Sequence, residues 1–107
     1  MIRAEFFRSS EGFSGFSISG HAGMAVAGEA DVVCAAVSSA VQLTANGLTE
    51  ICGETVSLKV EENQICLIKE NESLSDSGRC FLEALFLHLQ LLSEESPDAI
   101  TIILTEV

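Results

Sequence analysis

Basic residues are scarce in this 107-residue chain, which has five Lys or Arg against sixteen Asp or Glu and a formal net charge of -11 at pH 7. Nucleic acids and anionic membranes bind through clustered positive charge, so neither is expected as a direct partner. A basic partner fits this charge better. Acidity also keeps an apolar domain soluble, and the charge alone leaves both interpretations open.

Metal-binding motifs are also missing. The four cysteines, at positions 34, 52, 66 and 80, form no Cys-x-x-Cys pair, and only His21 and His88 remain to complete a metal site. We therefore expect no zinc and no other cofactor. Cys52, Cys66 and Cys80 are predicted to be small buried hydrophobic residues with free thiols. His88, which lies among leucines, is interpreted as a structural or interface residue.

Targeting and membrane-spanning signals are not found. The N-terminus lacks the basic start and apolar run of a signal peptide, and no uninterrupted apolar run reaches the roughly 18 residues of a membrane span. A cytoplasmic location is expected. Hydrophobic residues form 48% of the chain and the mean hydropathy is +0.39, enough for one core. Residues 1–107 are predicted to form a single domain.

Hydrophobic periodicity predicts a small α+β domain of order β-β-α-β-β-α-β, with two helices packed on a mixed or antiparallel sheet. Ser75 or Asp76 is predicted to cap the second helix, and Pro97 to end it. The predicted strands are residues 1–9, 13–19, 55–60, 65–68 and 99–104, and the first helix is residues 31–51.

Both predicted helices are unusually apolar. The first has no charged residue between Asp31 and Glu50, so we expect it to be largely buried. In the second, Leu87 and Leu91 widen the apolar arc beyond one stripe, which predicts contact with a further surface, most economically a second copy of the chain. The core-facing stripe of the first helix is predicted at Val33, Val37, Ala40, Val41, Thr44 and Leu48.

One segment combines a histidine, an aspartate and a cysteine in a pattern suited to catalysis. A helix beginning near Asp31 places Cys34 in its first turn, where unpaired N–H groups and the helix dipole favour a thiolate. Nucleophilic catalysis also needs a base, which His21 supplies, and N–H donors for the oxyanion. Asp31 either caps the helix or orients His21, and the sequence leaves both roles open.

The segment between the histidine and the cysteine consists mainly of Gly and Ala. With little side-chain anchorage it is expected to be mobile and to close over bound substrate. It lacks the Gly-Lys-Ser/Thr ending of a phosphate-binding loop. Ser38 lies one helical turn after Cys34. We predict substrate contacts at Gly20, Ala22, Gly23, Gly28 and Ser38.

This segment resembles the ribosomal-processing cysteine protease family called Prp. The resemblance rests on Gly20-His21-Ala22 and on Asp31-Val32-Val33-Cys34-Ala35-Ala36-Val37-Ser38. It implies a homodimeric enzyme in which Cys34 is the nucleophile and His21 the general base, with Asp31 assisting. The implied substrate is the N-terminal extension of large-subunit ribosomal protein twenty-seven, a basic protein that suits an acidic enzyme.

Two other classes of function remain open from the sequence. One is a non-catalytic acidic module that binds a basic ribosomal protein, with Cys34 merely packed. The other is a redox switch between Cys34 and a second cysteine, which is disfavoured because no cysteine is adjacent in sequence.

Overall fold

The computed structural model describes residues 1–20, 27–69 and 73–107, the side chains of residues 27–31 excepted. It confirms the predicted α+β order. The elements are β1 (Ile2–Ser9), β2 (Gly12–Ser19), α1 (Ala27–Asn46) with a following π-helical turn (Gly47–Ile51), β3 (Ser57–Glu61), β4 (Gln64–Ile68), α2 (Asp76–Glu95) and β5 (Ile100–Glu106).

The five strands form one mixed sheet in the order β3-β4-β2-β1-β5. Neighbouring strands are antiparallel except β1 and β5, which are parallel. A parallel connection requires a crossover, and α2 lies between β4 and β5 in the chain to provide it. Alternate residues of β1, Ile2, Ala4 and Phe6, are buried on the face that both helices cover.

Phenylalanine rings fill the centre of the core between the sheet and α2. Phe6 is fully buried, and its ring meets that of Phe86 on α2 edge-on at 5.1 Å between centroids. The Phe13 ring packs on both, with centroid distances of 5.9 Å to Phe6 and 5.2 Å to Phe86. Edge-to-face contacts of this kind fix the position of α2 over the first hairpin.

Helix α1 has the predicted inner stripe but is not largely buried. Val33, Val37 and Val41 pack in the core, as expected from their spacing. On the outer face Val32 and Leu43 are each 69% exposed, so the prediction of a largely buried helix is wrong. The uncharged sequence of α1 therefore covers two faces of the helix, one buried against the core and one exposed to solvent.

By length and composition alone, Val32–Ile51 is apolar enough to cross a membrane. Core helices of globular domains meet the same criterion. Here the inner stripe of the segment packs against the sheet, which is the arrangement of a core helix.

Helix α2 begins where its sequence predicts. The Ser75 hydroxyl accepts a hydrogen bond from the Gly78 N–H at 3.1 Å and caps the first turn. Leu82, Leu85 and Leu89 are buried. Leu87, at 56% exposed, and Leu91 extend the apolar arc onto the surface, as the width of the pattern predicts.

An ion pair between Glu54 and Lys69 anchors the same helix end. The carboxylate lies 3.5 Å from Lys69 Nζ, and the two side chains are only 10% and 9% exposed. Glu54 also accepts the Ser75 N–H at 2.7 Å, while Lys69 Nζ donates to the Thr55 carbonyl. The Ser75 hydrogen bond, assisted by Lys69, lowers the pKa of Glu54 below its ordinary value of 4.5, against the opposing effect of desolvation.

The remaining cysteines are less buried than predicted. Cys52 and Cys66 are half-buried and Cys80 is exposed, although all three are free thiols. Cys80 lies on α2 away from the leucines that enter the core, so its position in an apolar stretch gave the wrong expectation. His88 is also exposed on α2. Within the described ranges no group of His, Cys, Asp or Glu is arranged to hold a metal ion.

Candidate active site

A cleft of about 250 Å³ lies between α1 and the hairpin formed by β3 and β4. Half-buried Cys34 lies in its α1 wall together with Ser38, one turn further along the helix. The other wall is formed by residues 60–65 of the hairpin, and the ends of β1 and β2 contribute Ile2, Ile18 and Gly20. The structure thus brings three predicted site residues, Gly20, Cys34 and Ser38, to one cleft.

Gly20 fixes the chain immediately before His21. Its φ is 87°, in the left-handed region that glycine adopts without strain. Its N–H donates to the Asn63 carbonyl at 3.0 Å, and a Cβ at this position would collide with the Met1 carbonyl oxygen. The backbone leading to His21 is therefore attached to the hairpin turn at the edge of the cleft.

The start of α1 differs from the sequence prediction. Within the described residues α1 runs from Ala27, so at least four helical residues precede Asp31 and the alternative that Asp31 is the N-cap is wrong. Gly28, predicted in the loop, also lies in the helix. The reason is composition: alanine is the strongest helix former, and Glu29 suits the positive end of a helix.

The earlier start changes the argument about the thiol. At least seven helical residues precede Cys34, which therefore does not contribute one of the unpaired N–H groups of the first turn. The predictions that the helix terminus favours a Cys34 thiolate, and that first-turn N–H groups hold the oxyanion, therefore do not hold in this geometry. Activation of the thiol then depends on a base.

Several predicted site residues are not tested by this geometry. His21, Ala22 and Gly23 lie outside the described residues, as do positions 23–26 of the mobile loop expected at 23–30, whereas positions 27–30 of that loop lie in α1. Asp31 is placed by its backbone alone. Orientation of His21 by Asp31 stays a prediction.

Sequence reasoning missed most of the residues that line the cleft, and two of them show why. Gln42 lies on the α1 wall one turn beyond Ser38, and Val60 lies on the hairpin wall. Gln42 could have been predicted from its position four residues after Ser38, on the same side of the helix. Val60 could not, because its place opposite α1 depends on the pairing of strands far apart in sequence.

Comparison with known proteins identifies the family. A family model described as cysteine protease Prp matches residues 1–101. The chain belongs to the Prp family. As a member it is a cysteine-type peptidase, and the non-catalytic module loses its support.

Solved structures are similar to this Prp family member over nearly its whole length. SMU.848 from Streptococcus mutans is 28% identical, with a TM-score of 0.84 and coverage of 100% of this chain and 96% of its own. The essential ribosomal processing protease Prp from S. aureus, in complex with a covalently linked product peptide, is 18% identical and has a TM-score of 0.87. The match covers 98% of this chain and 100% of the S. aureus chain. The structure of the same protease with a substrate peptide has a TM-score of 0.80, with the same identity and coverage. No curated protein sequence matches the chain.

Proposed function

We propose that this protein is a cytoplasmic cysteine endopeptidase that removes the N-terminal extension of large-subunit ribosomal protein twenty-seven during ribosome maturation. The observation that carries the proposal is the position of Cys34 in the wall of a cleft, in a chain that belongs to a cysteine protease family. The S. aureus structures of this fold, named as a ribosomal processing protease, support the class of substrate.

The proposed chemistry uses Cys34 and His21 in two steps. His21 takes the thiol proton, and the thiolate attacks the scissile carbonyl carbon to give a tetrahedral intermediate. Collapse breaks the C–N bond as His21 donates that proton to the leaving amine. Water, deprotonated by His21, then hydrolyses the thioester and regenerates the thiol. Asp31 orients the imidazole.

Charge supports a basic partner for this enzyme. The chain has a formal net charge of -11, and ribosomal proteins are strongly basic. Complementary charge accelerates diffusional encounter and suppresses association with acidic partners. The acidic surface therefore favours capture of a segment joined to a basic protein.

The activity test uses peptides that span the N-terminus of ribosomal protein twenty-seven. We expect the wild-type protein and the control variant Cys80→Ala to cleave at one bond, and Cys34→Ala to leave the peptide intact. Cys80 is exposed and distant in sequence from the cleft, so it controls for loss of any thiol. Equal cleavage by wild type and Cys34→Ala contradicts the proposal.

We further propose that the enzyme is a homodimer joined through α1 and α2, which pack side by side. Leu43 on α1 and Leu87 on α2 are large exposed apolar residues that a second copy of the chain would cover. In sedimentation equilibrium the double variant Leu43→Lys/Leu87→Lys is expected to be monomeric, while Leu58→Lys on β3 remains dimeric. A monomeric wild-type protein at micromolar concentration would overturn the dimer.

A further inference from the structure

The α1 wall of the cleft carries a row of polar side chains that extends well beyond the candidate nucleophile. Cys34, Ser38 and Gln42 all line the cleft and follow one another at intervals of four residues. Residues at this spacing lie on the same side of a helix. At a rise of about 1.5 Å per residue, Gln42 lies about 12 Å along the axis from Cys34. The cleft therefore follows α1 for more than two turns.

Apolar side chains lie beside this row. Val37 and Val41, on the adjacent stripe of α1, are buried, as is Ile18 on β2. On the opposite wall Val60 lines the cleft and is 67% exposed, so it has apolar surface that a bound molecule would cover. The α1 edge of the cleft is thus polar and its floor apolar, while the hairpin wall has Val60 beside the polar residues Glu61, Glu62, Asn63 and Gln64.

An extended peptide has the complementary distribution of groups. Its main-chain N–H and C=O groups need hydrogen-bond partners along one edge, and alternate side chains point to the same side. Each residue of an extended chain advances about 3.3 Å, so the roughly 12 Å between Cys34 and Gln42 correspond to between three and four substrate residues. The spacing of the row therefore matches a short stretch of strand.

We propose that Gln42 binds the main chain of an extended substrate three to four residues from the scissile bond. The inference rests on the proposed function, with Cys34 as the nucleophile. A carboxamide both donates and accepts, so Gln42 pairs with the N–H and C=O groups that every peptide carries. Gln42 therefore sets how long a substrate must be, not which side chain it presents at that position.

The test measures kcat/KM for a peptide that the wild-type enzyme cleaves and for versions shortened one residue at a time from each end. With the long peptide, Gln42→Ala and Gln42→Leu are each expected to lower kcat/KM about fivefold, the loss of one neutral hydrogen bond. Gln42→Leu retains apolar contact area, so its loss separates hydrogen bonding from packing. Gln90→Ala, the same substitution on α2, is the matched control.

Peptide length provides the decisive readout. Shortening the substrate to two residues on the side that faces Gln42 is expected to lower wild-type kcat/KM by the same factor and to bring wild type and both variants within about twofold of each other. A Gln42 effect that is absent, or equal at every length, overturns this inference while Cys34-dependent cleavage persists. Cleavage that survives Cys34→Ala instead refutes the proposed function, so the two failures are distinguishable.

Discussion

Helices α1 (Ala27–Asn46) and α2 (Asp76–Glu95) pack on the same face of the sheet, but their described residues do different work beyond the core. α2 has a serine cap, and Glu54 binds the backbone of that cap from another part of the chain. α1 begins in a run of small residues and places its polar row along the cleft. Both helices contribute buried side chains to the core, whereas of the two only α1 also lines the cleft.

The largest expected effect is on the core contact of α2. Leu82 is fully buried, so Leu82→Ala should lower the free energy of unfolding by about 4 kcal/mol through lost transfer energy and a residual cavity. Val32→Ala on the exposed face of α1 is the matched control, with a change within about 0.5 kcal/mol. Urea denaturation measures both. Equal losses would contradict the burial of Leu82 in the core.

The ion pair at the start of α2 should give the next largest effect. Glu54→Ala leaves the half-buried Lys69 and the Ser75 N–H without their carboxylate and should cost about 2 kcal/mol at pH 7. The pKa of Glu54 is lowered in the folded state, so its contribution is complete above the ordinary value of 4.5 and is lost as the pH falls through the lower folded-state pKa.

Denaturation at a series of pH values tests the direction of this pH dependence. Wild-type stability should fall below about pH 4.5 more steeply than that of Glu54→Gln, which has no carboxyl to protonate. Parallel curves for the two proteins would show that Glu54 does not contribute to the acid sensitivity.

A smaller effect is expected at the cap itself. Ser75→Ala removes the acceptor of the Gly78 N–H and should lower the free energy of unfolding by about 1 kcal/mol. Ser77→Ala, two residues later and exposed, should change it by less than about 0.5 kcal/mol. Thermal denaturation of the two variants compares them directly, and a Ser75 effect no larger than that of Ser77 argues against the cap.

The smallest effect on stability is expected on α1, at a residue whose substitution should lower the activity. Ser38 is exposed in the cleft wall, so Ser38→Ala should change the free energy of unfolding by less than about 0.5 kcal/mol while lowering kcat/KM several-fold. Ser39→Ala, exposed but outside the cleft, should change neither. A Ser38 variant with full activity would show that the row near Cys34 does not bind substrate.

The same contrast explains what could be predicted from the sequence. The start of α2 was predicted because Ser75 provides a local cap that is visible in three adjacent residues. The start of α1 was misplaced because Ala27 and Gly28 suit a loop by their small size and also tolerate a helix. Burial of the α1 stripe followed from its spacing, but exposure of Val32 and Leu43 did not, since apolar composition alone does not distinguish a core from an uncovered surface.

The candidate site was predictable only in part. His21 and Cys34 stand out by residue type and by a recognisable pattern, which requires no knowledge of distant contacts. The opposite wall of the cleft depends on the pairing of β3 with β4 and of β4 with β2, and these contacts join residues far apart in sequence. Val60 therefore gave no local signal of its position near Cys34.

The most direct test of the central claim, that Cys34 is the activated nucleophile, is residue-resolved alkylation at neutral pH. Cys80 is exposed and Cys34 only half-buried, so accessibility alone predicts that Cys80 reacts first. With limiting iodoacetamide and mass spectrometry of the digested protein, we expect Cys34 to be labelled first, and His21→Ala to abolish that preference. Labelling of Cys80 before Cys34 in the wild-type protein would contradict the account.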